Sequence, residues 1–229
     1  MKILGFQKLT MLDYPGKMAC LIFTAGCNFR CPFCHNAPLV TDIDGEEYTK
    51  DEIMAYLKKR KGILEGVCIT GGEPLLNKDI KEFIREVKSI GYPVKIDTNG
   101  SFPEALENLI DEGLVDYVAM DIKSSPENYA KVAGVEKLDF DAIDRSVKLL
   151  LQNRVDYEFR TTVCDPLHGE NDFISIGKWI KGAEKYYIQA FVDSGNLIGS
   201  GNKAFPKTEM ERFVSIVSPF VKKVEIRGI

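Results

Sequence analysis

The amino-acid sequence predicts an α/β fold, specifically a partial (β/α)6 barrel with a mostly parallel sheet. Short runs of β-branched and aromatic residues alternate with amphipathic segments of helical period along the chain. Connections long enough to hold a helix join consecutive strands in parallel through right-handed crossovers. Because six such units are too few to close an eight-stranded barrel, we expect the barrel to stay open.

Each predicted strand is a short run rich in apolar residues. The strands cover residues 18–24, 66–70, 93–98, 116–122, 155–164 and 185–191, with a last edge strand at 221–226. Thr49 and Glu52 have the spacing of a capping box and open the first helix, and Pro103 suits the first turn of a later one. The other predicted helices lie near residues 78–90, 139–153, 172–181 and 207–217.

Length, charge and cysteine usage indicate one ordinary globular domain. The chain has 229 residues, 45% hydrophobic and 28% charged, with a formal net charge of −4. It carries no Lys/Arg-rich arm, so we expect no nucleic acid partner. No apolar run approaches the ~20 residues of a membrane span, and the six cysteines do not resemble a disulfide framework. We therefore expect a single cytoplasmic domain over residues 1–229, with no membrane partner.

The most informative motif is CxxxCxxC, formed by Cys27, Cys31 and Cys34 and followed by His35. Three thiolates on one tight loop can hold three irons of a cubane iron–sulfur cluster, which leaves the fourth iron open to an outside ligand. An electron-transfer ferredoxin closes all four corners with cysteine, which differs from this pattern.

Two other interpretations of these cysteines stay open. The first is a zinc site completed by His35 or a distant cysteine, although structural zinc sites usually draw ligand pairs from two separate segments. The second is a set of buried inert thiols, although Asn28, Arg30 and Pro32 indicate a polar turn. The spacing favours an iron–sulfur cluster, and we expect the cysteine loop to lie outside the hydrophobic core.

Polar and glycine-rich segments follow the carboxyl ends of the predicted strands, where reactive residues of parallel sheets collect. Gly71 and Gly72 allow a ligand to approach the main chain closely and Glu73 can pair with an ammonium group, unless the segment is only a tight turn. Asp97, Asp121 and Lys123 can hold ribose hydroxyls, a carboxylate or a small cation, or they form a solvated ion-paired edge.

Several further features carry no definite role. Cys20, Cys68 and Cys164 lie in apolar strands and are predicted to be buried free thiols. The glycine-rich loop at residues 193–206 is a lid, a partner contact or only a long connection. The remaining candidates point into the barrel without an assignment: Lys95, Glu158 and Arg160.

Four motifs in order resemble the radical S-adenosylmethionine (SAM) superfamily. They are the cysteine motif at 27–34, residues 71–74 (GGEP), 97–100 (DTNG) and 120–123 (MDIK). Within the superfamily the chain resembles the glycyl-radical-enzyme activating proteins, and most of all the short form that activates anaerobic ribonucleoside-triphosphate reductase. Residues 13–16 (DYPG) and the run CNFRCPFCHN carry this closer resemblance.

The resemblance implies a chemistry. Cys27, Cys31 and Cys34 would bind a [4Fe-4S] cluster, whose open iron is chelated by SAM. A flavodoxin- or ferredoxin-type donor would supply an electron that cleaves SAM to methionine and a 5′-deoxyadenosyl radical. The radical would take a hydrogen from a glycine Cα of a partner glycyl radical enzyme. A related alternative is a radical SAM enzyme acting on a small molecule of the deazapurine-precursor type.

The resemblance also implies contacts for individual residues. The main chain of Phe33 would meet the adenine, and Gly71, Gly72 and Glu73 the methionine ammonium. Asp97 would lie near the same ammonium, while Asp121 and Lys123 would serve the carboxylate and ribose. Gln189 stands where an adenosine contact is expected. In some activases the equivalents of Asp97, Thr98 and Asp121 hold a monovalent cation, and the resemblance implies the same candidate site here.

Overall fold

The computed structural model describes residues 1–228. Within this range one mixed sheet contains eight strands in the order of the sequence. The strands are β1 (Ile3–Thr10), β2 (Ala19–Thr24), β3 (Gly66–Gly71), β4 (Val94–Thr98), β5 (Tyr117–Asp121), β6 (Asp156–Val163), β7 (Tyr186–Ala190) and β8 (Val224–Arg227). β1 pairs antiparallel with β2, and all later neighbours pair in parallel. The sheet is not closed, as expected for a partial barrel.

Helices occupy the connections between the parallel strands. They are α1 (Ala37–Thr41), α2 (Lys50–Lys59), α3 (Ile80–Ile90), α4 (Pro103–Asp111), α5 (Tyr129–Ala133), α6 (Phe140–Leu150), α7 (Glu170–Trp179) and α8 (Lys207–Val217), with a 3-10 turn at Pro74–Leu76. The predicted capping box opens α2, where the Thr49 hydroxyl accepts from the Glu52 amide at 3.2 Å and the Glu52 carboxylate accepts from the Thr49 amide at 2.8 Å. None of these helices is long and apolar enough to cross a membrane.

The six predicted parallel strands are confirmed as β2 to β7, and the predicted edge strand is β8. The prediction missed β1, because only Ile3 and Thr10 of that strand are buried and its centre lacks a clear alternation. It also missed α1 and α5, which are only five residues long each.

The expectation that the cysteine loop lies outside the core is wrong. The side chains of Phe29, Cys31 and Phe33 are buried and belong to the main hydrophobic cluster. Phe29 packs against Tyr129 of α5, with ring centroids 6.5 Å apart. The loop is therefore part of the folded body and is positioned by core packing.

Helix α3 shows how the outer layer is attached to the sheet. One stripe of the helix buries Ile80, Phe83, Ile84, Val87 and Ile90. Each fully buried apolar side chain of this size contributes about 1.5–3 kcal/mol relative to exposure. This packing fixes the helix between β3 and β4, whose carboxyl ends carry the glycine-rich and DTNG segments.

We predict that Phe83→Ala lowers the free energy of unfolding by about 3–5 kcal/mol, because the fully buried ring leaves a cavity. Phe83→Leu is the matched control and should cost less than about 1.5 kcal/mol. Urea unfolding followed by circular dichroism measures both values. Equal losses in the two variants would contradict this account of the helix.

Candidate functional site

The loop that follows β2 is fixed by main-chain contacts to two neighbouring segments. The Gly26 amide donates to the Leu39 carbonyl at 2.8 Å, and the Arg30 amide donates to the Ala133 carbonyl at 2.9 Å. On the inner side, the ring of Phe33 lies 6.0 Å from that of His168, centroid to centroid. These contacts hold the cysteine loop at the carboxyl end of the sheet.

The structure brings all three predicted cluster cysteines to one cavity of about 400 Å³. Cys27, Cys31 and Cys34 are free thiols that line its wall. Cys27 Sγ accepts from the Phe29 amide at 3.3 Å and, at a longer 3.8 Å, from the Asn99 side-chain amide. Hydrogen bonds to ligand sulfur are one of the means by which proteins tune iron–sulfur clusters. Three thiols on one cavity wall are the donor set that an iron–sulfur cluster takes, whereas no three His, Cys, Asp or Glu side chains within residues 1–228 are placed to hold a single metal ion.

Burial keeps these thiols in the neutral form when no positive centre is present. It raises the pKa of Cys31 to about 12, and also raises the pKa values of Cys27 and Cys34. The positive charge of Lys123 acts in the opposite direction on all three. A coordinated metal ion deprotonates a thiol, so bound iron would supply the positive charge that stabilises the three thiolates.

Gly71 and Gly72 bring the end of β3 into direct contact with the start of the cysteine loop. A Cβ atom on Gly72 would lie 1.9 Å from the Gly26 carbonyl oxygen, and one on Gly71 would lie 2.3 Å from the Thr24 oxygen. The Glu73 amide then donates to the Gly26 carbonyl at 2.8 Å. No side chain fits at either glycine, and both residues line the cavity.

Glu73 organises the neighbouring loop. Its carboxylate is fully buried and accepts from the Leu75 amide at 3.0 Å, the Thr98 hydroxyl at 2.9 Å and the Asn99 amide at 2.6 Å. Burial raises the pKa of Glu73 to about 7, although these three hydrogen bonds favour the ionised form. These three donors satisfy the carboxylate within the protein, and the Glu73 side chain is not among the residues that line the cavity.

Asp121 and Lys123 line the cavity after β5, together with Arg160 of β6. Asp121 accepts from Arg160 Nε at 2.9 Å and from Lys123 Nζ at 3.0 Å. Burial alone would raise the pKa of Asp121, but the two cations outweigh it and hold the pKa at about 2. Asp121 is therefore ionised at every physiological pH.

Asp97 lies at the end of β4 and joins the same set of charges. It forms a close ion pair with Lys95 and a longer contact of 3.4 Å with Arg160 Nη1. Burial would raise its pKa, but Arg160 and Lys95 together lower it. The Cys68 thiol donates to the same carboxylate at 3.8 Å. The charges are thus ion-paired, as in one alternative left open by the sequence, but they are largely buried where that alternative expected a solvated edge. Asp97, Asp121 and Arg160 line the cavity.

Phe33, Thr98 and Gln189 also line the cavity, so the structure brings every predicted contact residue except the Glu73 side chain to its wall. Several lining residues had no role predicted from the sequence, among them Gln7, because β1 was not recognised. Asp13 of the DYPG segment also lines the cavity, where the sequence predicted no contact for it. Sequence reasoning also missed Asn36, whose side-chain amide donates to the Gly71 carbonyl at 3.0 Å. The signal available for Asn36 was its position two residues after Cys34, within the run CNFRCPFCHN.

The glycine-rich segment 193–206, called the strap here, covers part of the cysteine loop. The Gly199 amide donates to the Pro32 carbonyl at 2.9 Å. Farther along, Lys203 and Asp165 exchange two main-chain hydrogen bonds of 2.9 Å each. The strap is therefore attached at two points, one on the cysteine loop and one beyond β6.

Comparison with known proteins agrees with this site. The radical SAM superfamily model matches residues 21–175, more than half of the chain. A Methanocaldococcus jannaschii protein whose name proposes a glycyl-radical enzyme activating enzyme is 33% identical over 98% of this chain and 95% of its own length. The 7-carboxy-7-deazaguanine synthase of Thermoplasma acidophilum is 28% identical over 66% of this chain and 69% of its own length.

Solved structures share the fold. Streptococcus suis SuiB bound to S-adenosylmethionine superposes with a TM-score of 0.72 at 14% identity, over 91% of this chain and 50% of SuiB. A domain of the pyruvate-formate lyase-activating enzyme from Bacteroides vulgatus gives 0.58 at 14% identity, over 71% of this chain and 99% of that domain. The chain belongs to the radical SAM superfamily and is a radical SAM enzyme. The family implies a [4Fe-4S] cluster and SAM as cofactors.

We predict that Cys31→Ser abolishes cluster assembly while the protein stays folded, because serine preserves the shape of the buried side chain but is a poor iron ligand. Iron content and visible absorbance after anaerobic reconstitution measure the loss. Cys164→Ser, which changes a buried thiol outside the motif, is the control and should keep its iron. Retention of a full cluster by Cys31→Ser would contradict the assignment.

The strap contact gives a second prediction. A Cβ atom on Gly199 would lie 2.6 Å from Pro32 Cβ, so Gly199→Val should lift the strap from the cysteine loop. We expect the reconstituted cluster to bleach faster in air than in the parent protein. Ser200→Val places the same side chain at an exposed neighbouring position and should bleach at the parental rate. Equal rates in both variants would show that the strap does not shield the cluster.

Proposed function

We propose that this radical SAM enzyme is an activase that generates a glycyl radical in a partner enzyme, most specifically in anaerobic ribonucleotide reductase. The observation that carries the proposal is the 33% identity to the Methanocaldococcus jannaschii protein, which extends over nearly the full length of both chains. The DYPG segment and the cysteine motif, CNFRCPFCHN, support the narrower choice of partner.

The shape of the sheet is compatible with a macromolecular substrate. β1 and β8 are the two edges of the open sheet within residues 1–228. The cavity is lined by Gln7 from β1 and by Gln189 from β7, so it extends toward both sides of the opening. A peptide loop of the partner would enter there and exclude water from the reacting atoms, which a primary radical requires.

When bound, the cluster and SAM would supply reductive cleavage of the sulfonium and a 5′-deoxyadenosyl radical that takes a hydrogen from the glycine Cα. Cys27, Cys31 and Cys34 would hold the cluster. The main chain of Phe33 would orient the adenine, and the segment Gly71–Glu73 would bind the ammonium group of the methionine part of SAM. Lys123 would bind the carboxylate or ribose, with Asp121 holding its ammonium group in place at 3.0 Å.

The proposal includes a flavodoxin- or ferredoxin-type electron donor and a cytoplasmic location. The exposed Arg30 guanidinium donates to the Cys27 carbonyl at 2.6 Å and to the Phe29 carbonyl at 2.8 Å, so a positive charge lies on the surface beside the cluster cysteines. Such a charge would attract an acidic donor. A reducing compartment would also keep the free thiols of the loop available for iron.

A second candidate function is the modification of a small molecule of the deazapurine-precursor type. The similarity to the Thermoplasma acidophilum synthase favours it, as do the charged side chains inside the barrel. Those charges, however, are already paired with one another, and they leave few groups free to recognise a polar substrate.

We predict that the reduced holoenzyme, mixed anaerobically with SAM and an anaerobic ribonucleotide reductase, produces a glycyl radical detectable by electron paramagnetic resonance. A reductase with its radical glycine changed to alanine is the control and should give no such signal. SAM cleavage that is accelerated by a deazapurine precursor, with no radical on the reductase, would favour the second candidate instead.

A further inference from the structure

The three residues from which a monovalent cation site was expected have their side-chain oxygens occupied by other groups. The Thr98 hydroxyl donates to Glu73 at 2.9 Å and accepts from the Gly100 amide at 3.1 Å. Asp97 and Asp121 have four carboxylate oxygens between them, and each of the four contacts a cationic side chain.

Arg160 connects the two carboxylates. Its Nη1 lies 3.4 Å from Asp97 Oδ2, and its Nε lies 2.9 Å from Asp121 Oδ1. The remaining Asp97 oxygen is taken by Lys95 Nζ, and the remaining Asp121 oxygen by Lys123 Nζ at 3.0 Å. The guanidinium thus bridges the two aspartates, and no oxygen of either carboxylate is without a cationic partner.

The charge balance does not call for a bound cation. Asp97 and Asp121 face three cations, Lys95, Arg160 and Lys123, and the buried Glu73 that accepts from Thr98 brings the sum of charges to about zero when it is ionised. The two aspartates are therefore neutralised by side chains of the protein itself. These residues therefore do not fit a monovalent cation.

The Lys95 side chain cannot easily move away from Asp97 to make room for a metal ion. Its side chain is only 1% exposed, and its ammonium group contacts Asp97 and, at 3.7 Å, the sulfur of Cys68. A buried ammonium group without a carboxylate partner is strongly destabilised, so breaking this pair would be costly. The ion pair with Asp97 is a fixed part of the barrel interior.

We propose that Lys95 and Arg160 are built-in cations that position Asp97 and Asp121 for SAM binding in place of a bound monovalent ion. Both act through the aspartates and are positioning residues. The inference rests on the cofactor site and is independent of the partner enzyme. Measurements of SAM affinity therefore separate its failure from a failure of the activase proposal.

The first test uses the unmodified holoenzyme. SAM affinity is measured by anaerobic calorimetry in sodium, potassium and choline chloride at equal ionic strength. We expect dissociation constants that agree within about twofold, since no metal ion is needed. An affinity about tenfold weaker in choline chloride would overturn the inference and restore the cation site.

The second test uses Lys95→Met, which removes the charge and keeps the side chain long and flexible. It leaves one Asp97 oxygen without its cation, so we expect SAM affinity in choline chloride to fall about tenfold and to recover partly in sodium or potassium. The unfolding temperature of the apoprotein should show the same dependence on the salt. A lysine with a merely structural role would give no such cation-specific recovery.

Lys178→Met, at an exposed position of α7, controls for the loss of one positive charge and should behave as the parent. Parental SAM affinity of Lys95→Met in choline chloride would show that Lys95 does not position Asp97. If Lys95→Met does not fold, the salt comparison with the unmodified protein still decides the inference.

Discussion

The site depends on the close approach of two main-chain segments, one from each of the first two parallel strands. Gly72 lies so near the Gly26 carbonyl that even a methyl side chain is excluded, and the Glu73 amide hydrogen-bonds to that carbonyl. The Glu73 carboxylate in turn accepts hydrogen bonds from the Thr98 hydroxyl and the Asn99 amide. These hydrogen bonds connect the segments that follow β2, β3 and β4. The cysteine loop, the glycine pair and the DTNG segment therefore face the same cavity.

The charged part of the site follows a different constraint, the cost of burying charge. Asp97, Asp121 and Arg160 lie inside an open barrel where hydration is limited, and each is stabilised by an oppositely charged neighbour. Such buried pairs add little net stability compared with apolar packing, but removal of one partner is expensive. Their contribution here is geometric, because they fix the positions of charged side chains on the cavity wall.

Much of the fold could be predicted from the sequence, because apolar periodicity and capping signals are local. The six inner strands and the Thr49–Glu52 capping box belong to this class. β1 was missed because its centre is exposed. The burial of the cysteine loop was missed because Asn28, Arg30 and Pro32 indicate a polar turn, whereas the neighbouring Phe29 and Phe33 are buried. Local sequence does not reveal which side chains meet across the barrel, so Arg160 had no assigned role until its contacts with both aspartates were visible.

We propose that Cys27, Cys31 and Cys34 hold a cluster at which SAM is cleaved. The most direct test is anaerobic reconstitution with iron and sulfide, reduction with dithionite, and measurement of 5′-deoxyadenosine formed from SAM. We expect about four irons per chain and formation of 5′-deoxyadenosine that depends on the reductant. A protein that binds zinc in place of a cluster, or a complete cluster that leaves SAM intact, would contradict this proposal.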